Sequence, residues 1–313
     1  MAAMVRRPLY RVLTVALIAG LAGASAPTAV ARCAASRTAA PATASAPPPA
    51  RSPATPTTPT TPTTPTTPTA ECPHPTSGFR CAQQRRFADA ERYLAARPGV
   101  TAIVVRNRAT GAIWRNAHSG RLVWTASTIK LAIALDLLER RRAGTITLSP
   151  SDESLLSAML RTSDDRAATW LWERFDGPAA RQRYAAYGMT GLRFPGRVHW
   201  GAAQSSAEDL DRLINHVLEQ VPPDVRNYLV AQLRTVAPNQ RWGVWGAGPA
   251  AQPGNKNGWF GYGTGWVINS VGFVGPGERY TVTLMNDLRG EGGYDDGVQT
   301  TTRAAELLFA GRF

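Results

Sequence analysis

Lysine is almost missing from this chain. Its 313 residues include 35 lysines and arginines together, of which only Lys130 and Lys256 are lysine. Arginine keeps its proton at any working pH, whereas lysine can lose its own when buried or crowded by other cations. The two retained amines therefore mark places where a guanidinium would not serve. Histidine is scarce as well. The four present show no metal spacing, and the three cysteines are not arranged as a zinc site, so neither metal nor cofactor is expected. The apolar run "VLTVALIAGLAG" is too short and too rich in glycine and alanine to favour a membrane span. Nucleic-acid motifs are absent too, and the arginines are scattered rather than clustered. The net charge of +13 then reads either as a solvated arginine-rich surface or as attraction to anionic wall polymers or lipid headgroups.

What is present divides the chain into three. Residues 1–31 read as a secretory signal: Arg6, Arg7 and Arg11 form a basic start, the apolar run follows, and Ala29, Val30 and Ala31 offer small residues for cleavage. Arg6-Arg7 is a weak version of a twin-arginine signal. Cys33 invites a lipid anchor, but Arg32 stands where a small residue is wanted, so the expected location is secreted or wall-associated, with a lipid anchor at Cys33 as the lesser alternative. Residues 32–70 read as a disordered, Thr/Pro-rich linker, in which "TPTTPTTPTTPTTPT" repeats Thr-Thr-Pro with no apolar side chain to bury in a core. They read as an extended spacer, a tether through a wall or a passive linker. Residues 71–313 form one large domain. In an oxidising compartment a disulfide from Cys72 to Cys81 is expected at its entrance, leaving Cys33 unexplained.

Along the domain, "RCAQQRRFADAERYLAAR" has helical apolar spacing. "VTAIVVRNRATGAIWR" reads as two strands, 100–105 and 112–115, joined by a turn ending at Gly111. A helix is predicted from Ser127 to about Arg142. The pattern from Ser149 to Leu218 is mostly helical, with an interruption from Gly188 to Ser206, and "VPPDVRNYLVAQLRTV" opens another helix. Three strands with glycine turns follow Pro253, and a last helix is predicted over 298–310. The fold class is α/β: a five-stranded antiparallel sheet flanked by helices, with an inserted all-helical subdomain. Its junction is the natural place for a site.

Ser127 and Lys130 stand three residues apart, which in a helix places them on one face. A serine hydroxyl is a weak nucleophile until a neighbour takes its proton, and an amine can do that. "RTSDDRAATWLW" adds Ser163-Asp164-Asp165, and "GNKNGWF" adds Lys256-Asn257-Gly258. In order and spacing these three stretches resemble the S-x-x-K, S-D-N and K-T-G signature of the penicillin-recognising serine hydrolases, the class A β-lactamases and D,D-peptidases. The resemblance covers about residues 82–313. It implies Ser127 as nucleophile, Lys130 as its base, and Ser163 as proton donor to the leaving nitrogen. It further implies Lys256 as anchor for a substrate carboxylate, Gly258 as the place where substrate lies along the strand, and an oxyanion hole from the N–H groups of Ser127 and Trp259. The partner it implies is a peptidoglycan peptide or a β-lactam, bound by a monomer.

Three departures qualify that reading. Asp165 replaces an asparagine, and a carboxylate beside Lys130 favours the ammonium form, opposing a free-amine base unless Asp165 is neutral, Lys256 offsets it, or the proton takes another route. Asn257 replaces a hydroxyl residue, although an amide can also donate to a substrate carboxylate. The stretch from Gly177 to Ala207 holds no Asp or Glu, so the water-activating glutamate of class A β-lactamases has no counterpart, and His199 is the one titratable base there. A packed loop histidine is the plainer reading of His199. Trp242, Trp245, Trp259 and Trp266 read as core, or as the lining of a cleft for a wall peptide or sugar. "GEGGYDDG" reads as a turn before the last helix. The expected function is an exported serine hydrolase or acyltransferase forming an acyl-enzyme on Ser127, with fast β-lactam turnover doubtful. The alternative is a wall-associated binding protein that keeps the fold without turnover.

Overall fold

The computed structural model describes residues 72–73, 78–196 and 199–311. The predicted leader and Thr-Pro spacer lie outside them. Among the described residues no helix is long and apolar enough to cross a membrane.

The chain opens with α1 (Cys81–Ala95), then β1 (Val100–Asn107) and β2 (Ile113–Arg115), followed by a short strand β3 (Val123–Trp124). The helical part contains α2 (Lys130–Arg142), α3 (Pro150–Arg161), α4 (Asp165–Leu171), α5 (Ala180–Ala186), α6 (Ala207–Glu219) and α7 (Pro223–Arg234). Within it β4 (Gln204–Ser205) returns to pair with β3. The chain closes with β5 (Gly254–Tyr262), β6 (Gly265–Val274), β7 (Tyr280–Asp287) and α8 (Tyr294–Phe309). The sheet order is β2-β1-β7-β6-β5, all antiparallel, so strands from the two ends of the domain meet where β1 pairs with β7. This is the five-stranded, helix-flanked sheet that the sequence predicts.

β1 shows why the sheet is covered on both faces. Alternate strand residues point to opposite sides. Ala102 and Val104 join the apolar cluster containing α2 and α6, while Ile103 and Val105 join the one containing α1 and α8. A run with no polar alternation is thus a strand buried twice. Local signals fix the helix starts. Ser149 and Asp152 form a reciprocal cap on α3 with Pro150 in its first turn.

Two predicted boundaries move. The segment expected to begin an α-helix at Ser127 is first a 3₁₀ turn, Ala126–Ile129, and becomes α-helical only at Lys130. The last helix starts at Tyr294 rather than Val298, because the Asp296 carboxylate accepts the Gly293 N–H at 2.9 Å and converts the "DD" from loop to first turn. Cys72 and Cys81 are joined by a disulfide, their Cα atoms 5.0 Å apart. By loop-closure entropy, opening this short ring is expected to cost about 2–3 kcal/mol. A lower urea midpoint for Cys72→Ser would register it.

Candidate active site

The site forms where the 3₁₀ turn, the loop before α4 and the edge strand β5 converge. Gly258 lets the turn and the strand meet. A Cβ there would lie 2.7 Å from the backbone nitrogens of Ser127 and Thr128 and 2.8 Å from the Thr125 carbonyl oxygen, closer than a side chain can approach. Ala126, just before Ser127, has φ +46°, and Ser163 has φ +60°. Non-glycine residues adopt this region at a cost and gather at functional sites. In a 3₁₀ turn positions three apart eclipse, so Ser127 and Lys130 are stacked along one line. The Ser127 N–H, in the first turn, has no acceptor within it.

Lys130 is fully buried, and its Nζ donates to the Ser163 carbonyl at 2.7 Å, the Asp165 carboxylate at 2.5 Å and Ser163 Oγ at 3.4 Å. The indole of Trp200 lies over the same nitrogen, 4.7 Å from it to the ring centre. Lys256, 1% exposed, donates to Ser163 Oγ at 2.8 Å and to the Asn257 carbonyl at 2.8 Å. Burial pulls the Lys130 amine below its usual range, against the raising effect of the Asp165 hydrogen bond and charge. Burial, with the Lys130 charge adding to it, pulls Lys256 well below that range.

The three residues Ser163-Asp164-Asp165 divide their work. Ser163 bridges the two amines, Asp164 caps α4 by accepting the Ala167 N–H at 2.8 Å, and Asp165 holds Lys130 while its side chain remains 73% exposed. Ser127 is 8% exposed, and among the described residues its Oγ has no hydrogen-bond partner. The direct Ser127–Lys130 hydrogen bond expected from the sequence is therefore not formed, because Asp165 and Ser163 draw the amine to themselves.

Strand alternation sorts the rest. Lys256 and Gly258 share the face toward Ser127, while Asn255, Asn257 and Trp259 point to the other. Asn257 Nδ2 donates to the Gln240 carbonyl at 2.8 Å and that of Trp242 at 3.4 Å, and its Oδ1 accepts from Asn255. Its amide fastens the preceding loop to β5 and is not brought to Ser127. The Trp259 ring packs with Trp242 and Tyr294, and Trp266 also meets Tyr294 edge-on. Trp245 bonds Asn255 and carries Arg241 on its face. These tryptophans are packing groups. His199 accepts the Gly201 N–H and lies between Trp172 and Trp200. Nothing in the composition of the loop that carries Trp200 points to a contact with Lys130.

Solved structures with this fold include an ancestral class A β-lactamase (TM-score 0.60, 19% identity, covering 72% of this chain and 98% of that one). A β-lactamase of Xanthomonas campestris gives 0.62 at 16% identity, covering 72% and 96%. PBP-A gives 0.61 at 18% identity, covering 72% and 94%. At such identities the likeness establishes the β-lactamase fold and nothing finer. No protein-family model matches the chain. Proteins of Mycobacterium tuberculosis and Mycobacterium bovis named "Putative lipoprotein LppW" are 33% identical to it over 210 residues, 64% of this chain and 67% of the relative. The chain belongs to the LppW family. In this LppW-family chain the three motif stretches, distant in sequence, converge on one buried pair of amines.

Proposed function

We propose that the protein is an extracytoplasmic serine acyl-transfer enzyme that forms a long-lived acyl-enzyme on Ser127 with β-lactams or D-alanyl peptides. The observation that carries this is the hydrogen-bonded set Lys130–Ser163–Lys256 on the strand face that meets the serine turn. Two buried amines, the only lysines of the chain, meet here, and the charge on Lys130 supplies positive potential where an oxyanion would develop. A hydroxyl between them offers a proton path. Ser127 attacks the acyl carbon, its N–H and that of Trp259 receive the oxyanion, and Ser163 delivers the proton to the leaving nitrogen.

Slow release follows from the stretch from Gly177 to Ala207. It brings no carboxylate, and an indole rather than a water-activating acid lies on Lys130. His199 is occupied in its own turn. Export is supported by the leader-like first 31 residues, by the disulfide and by the lipoprotein name of the relatives. The net charge of +13 suits anionic wall polymers rather than nucleic acid as surroundings. Intact-mass spectrometry with a penicillin tests the reading. The wild type gains one acyl group that persists, and Ser127→Ala gains none. Rapid hydrolysis of a chromogenic cephalosporin would contradict the loop argument. The pairing of Lys130 with Asp165 favours a second reading, a binding protein that keeps the fold without turnover, and absence of an adduct across several acyl donors would select it.

A further inference from the structure

Two amines reach one hydroxyl at this site, and two ammonium ions so placed repel each other with little water to screen them. The hydrogen bonds distinguish the two. Lys130 Nζ faces three acceptors: the Ser163 carbonyl, the Asp165 carboxylate and Ser163 Oγ. An ammonium ion has three N–H bonds, one for each. The Trp200 ring face over the same nitrogen also favours a cation. Lys256 Nζ has two partners among the described residues, the Asn257 carbonyl and Ser163 Oγ, and no carboxylate. As an ammonium ion it would leave one N–H unpaired at 1% exposure, which is costly. As a neutral amine it donates to Asn257 and accepts the Ser163 hydroxyl proton; one N–H is still without an acceptor, but no charge is buried without a counter-ion, which costs far less. Ser163 then accepts from Lys130 and donates to Lys256.

We propose that Lys256 is the neutral amine of the resting site and takes the Ser127 proton by way of Ser163 Oγ, while Asp165 and Trp200 hold Lys130 as a permanent ammonium ion. The assignment of charge stands on the geometry alone; the proton path rests on the acyl-transfer reading. In that path Ser127 Oγ bonds to the acyl carbon as its proton passes to Ser163 Oγ and the Ser163 proton passes to Lys256. When the acyl carbon–nitrogen bond breaks, the proton returns through Ser163 to the leaving nitrogen. Lys256 ends neutral and Lys130 stays charged throughout. Asp165 is thus a positioning residue that decides which amine works. It is also the answer to how an Asp is tolerated beside Lys130: the proton takes the other amine.

The charges that act on this equilibrium are Lys130 and Asp165 on Lys256, and Asp165 and Asp164 on Lys130. Two lysines make the test direct. Protein labelled with nitrogen-15 at the lysine side chains has two Nζ resonances to follow against pH. Near neutrality one is expected at the ammonium position and one at the neutral-amine position, the latter converting only on acidification. Lys256→Arg removes the neutral signal. Asp165→Asn, a change at an exposed side chain, moves the Lys130 signal toward the neutral amine and the Lys256 signal toward ammonium, and it assigns the signals even if Lys256→Arg does not fold. Two ammonium signals at neutral pH, or a neutral signal belonging to Lys130, would overturn the charge assignment whether or not Ser127 acylates. If the protein acylates, the acidic limb of its acylation rate follows the Lys256 titration. An acidic limb that ignores it would overturn the proton path and leave the acylation reading intact.

Discussion

Gly258→Ala is expected to weaken the fold by about 2–3 kcal/mol and to suppress acylation of Ser127, because the added methyl meets only backbone. The Ser127 and Thr128 nitrogens and the Thr125 carbonyl lie 2.7–2.8 Å from where it would sit. A flexible side chain would swing aside; three backbone atoms of one turn cannot. Either β5 retreats or the 3₁₀ turn shifts, and both displace Ser127 from the strand face that carries Lys256. Thermal unfolding and the intact-mass adduct measure the two losses separately. An alanine variant with wild-type stability and wild-type labelling rate would show that turn and strand are not in the contact described.

A comparable loss is expected at Asp136, in the middle of α2. Its carboxylate has no exposure and accepts from Arg183 at 2.8 Å, from Arg140 at 3.2 Å and from the Tyr187 hydroxyl at 3.1 Å. Removing one partner of such a buried group leaves the others uncompensated, at a cost of 3–5 kcal/mol when they are fully dry. Arg140 and Arg183 keep 24% and 27% of their side-chain exposure, so water softens the loss to about 3 kcal/mol for Asp136→Ala. Urea unfolding measures it. Burial and the nearby carboxylates of Asp136 and Glu139 hold the Tyr187 phenol above its ordinary range. Near-ultraviolet titration of the folded variant should bring that phenol down.

The strands and most helices are legible because their signals are local. The unbroken apolar run of β1, the glycine turns of the closing meander and the Ser149-Pro150 cap each act within a few residues. The motif serines and lysines are legible because lysine is so rare that its two positions draw attention. What escapes is set by partners distant in sequence. Asp136 sits inside "LAIALDLL", where nothing nearby announces Arg183 or Tyr187. Asn257 reads as a substrate contact until its partners in the Gln240–Trp242 loop are seen. Trp200 reaches Lys130 through a fold-back that pairs β4 with β3. Asp165 is visible as a departure, but its consequence depends on which of two amines, distant in sequence, it pairs with.

The rarity of lysine has one last effect. Guanidinium charge does not discharge below about pH 12, so the arginine field around the protein is constant across alkaline buffers. Apart from the chain's own amino terminus, the cation able to fade there is Lys130, sealed at the heart of the fold, since Lys256 has already given up its proton. An alkaline titration of this molecule's positive charge is thus a titration of its cleft against a fixed electrostatic background.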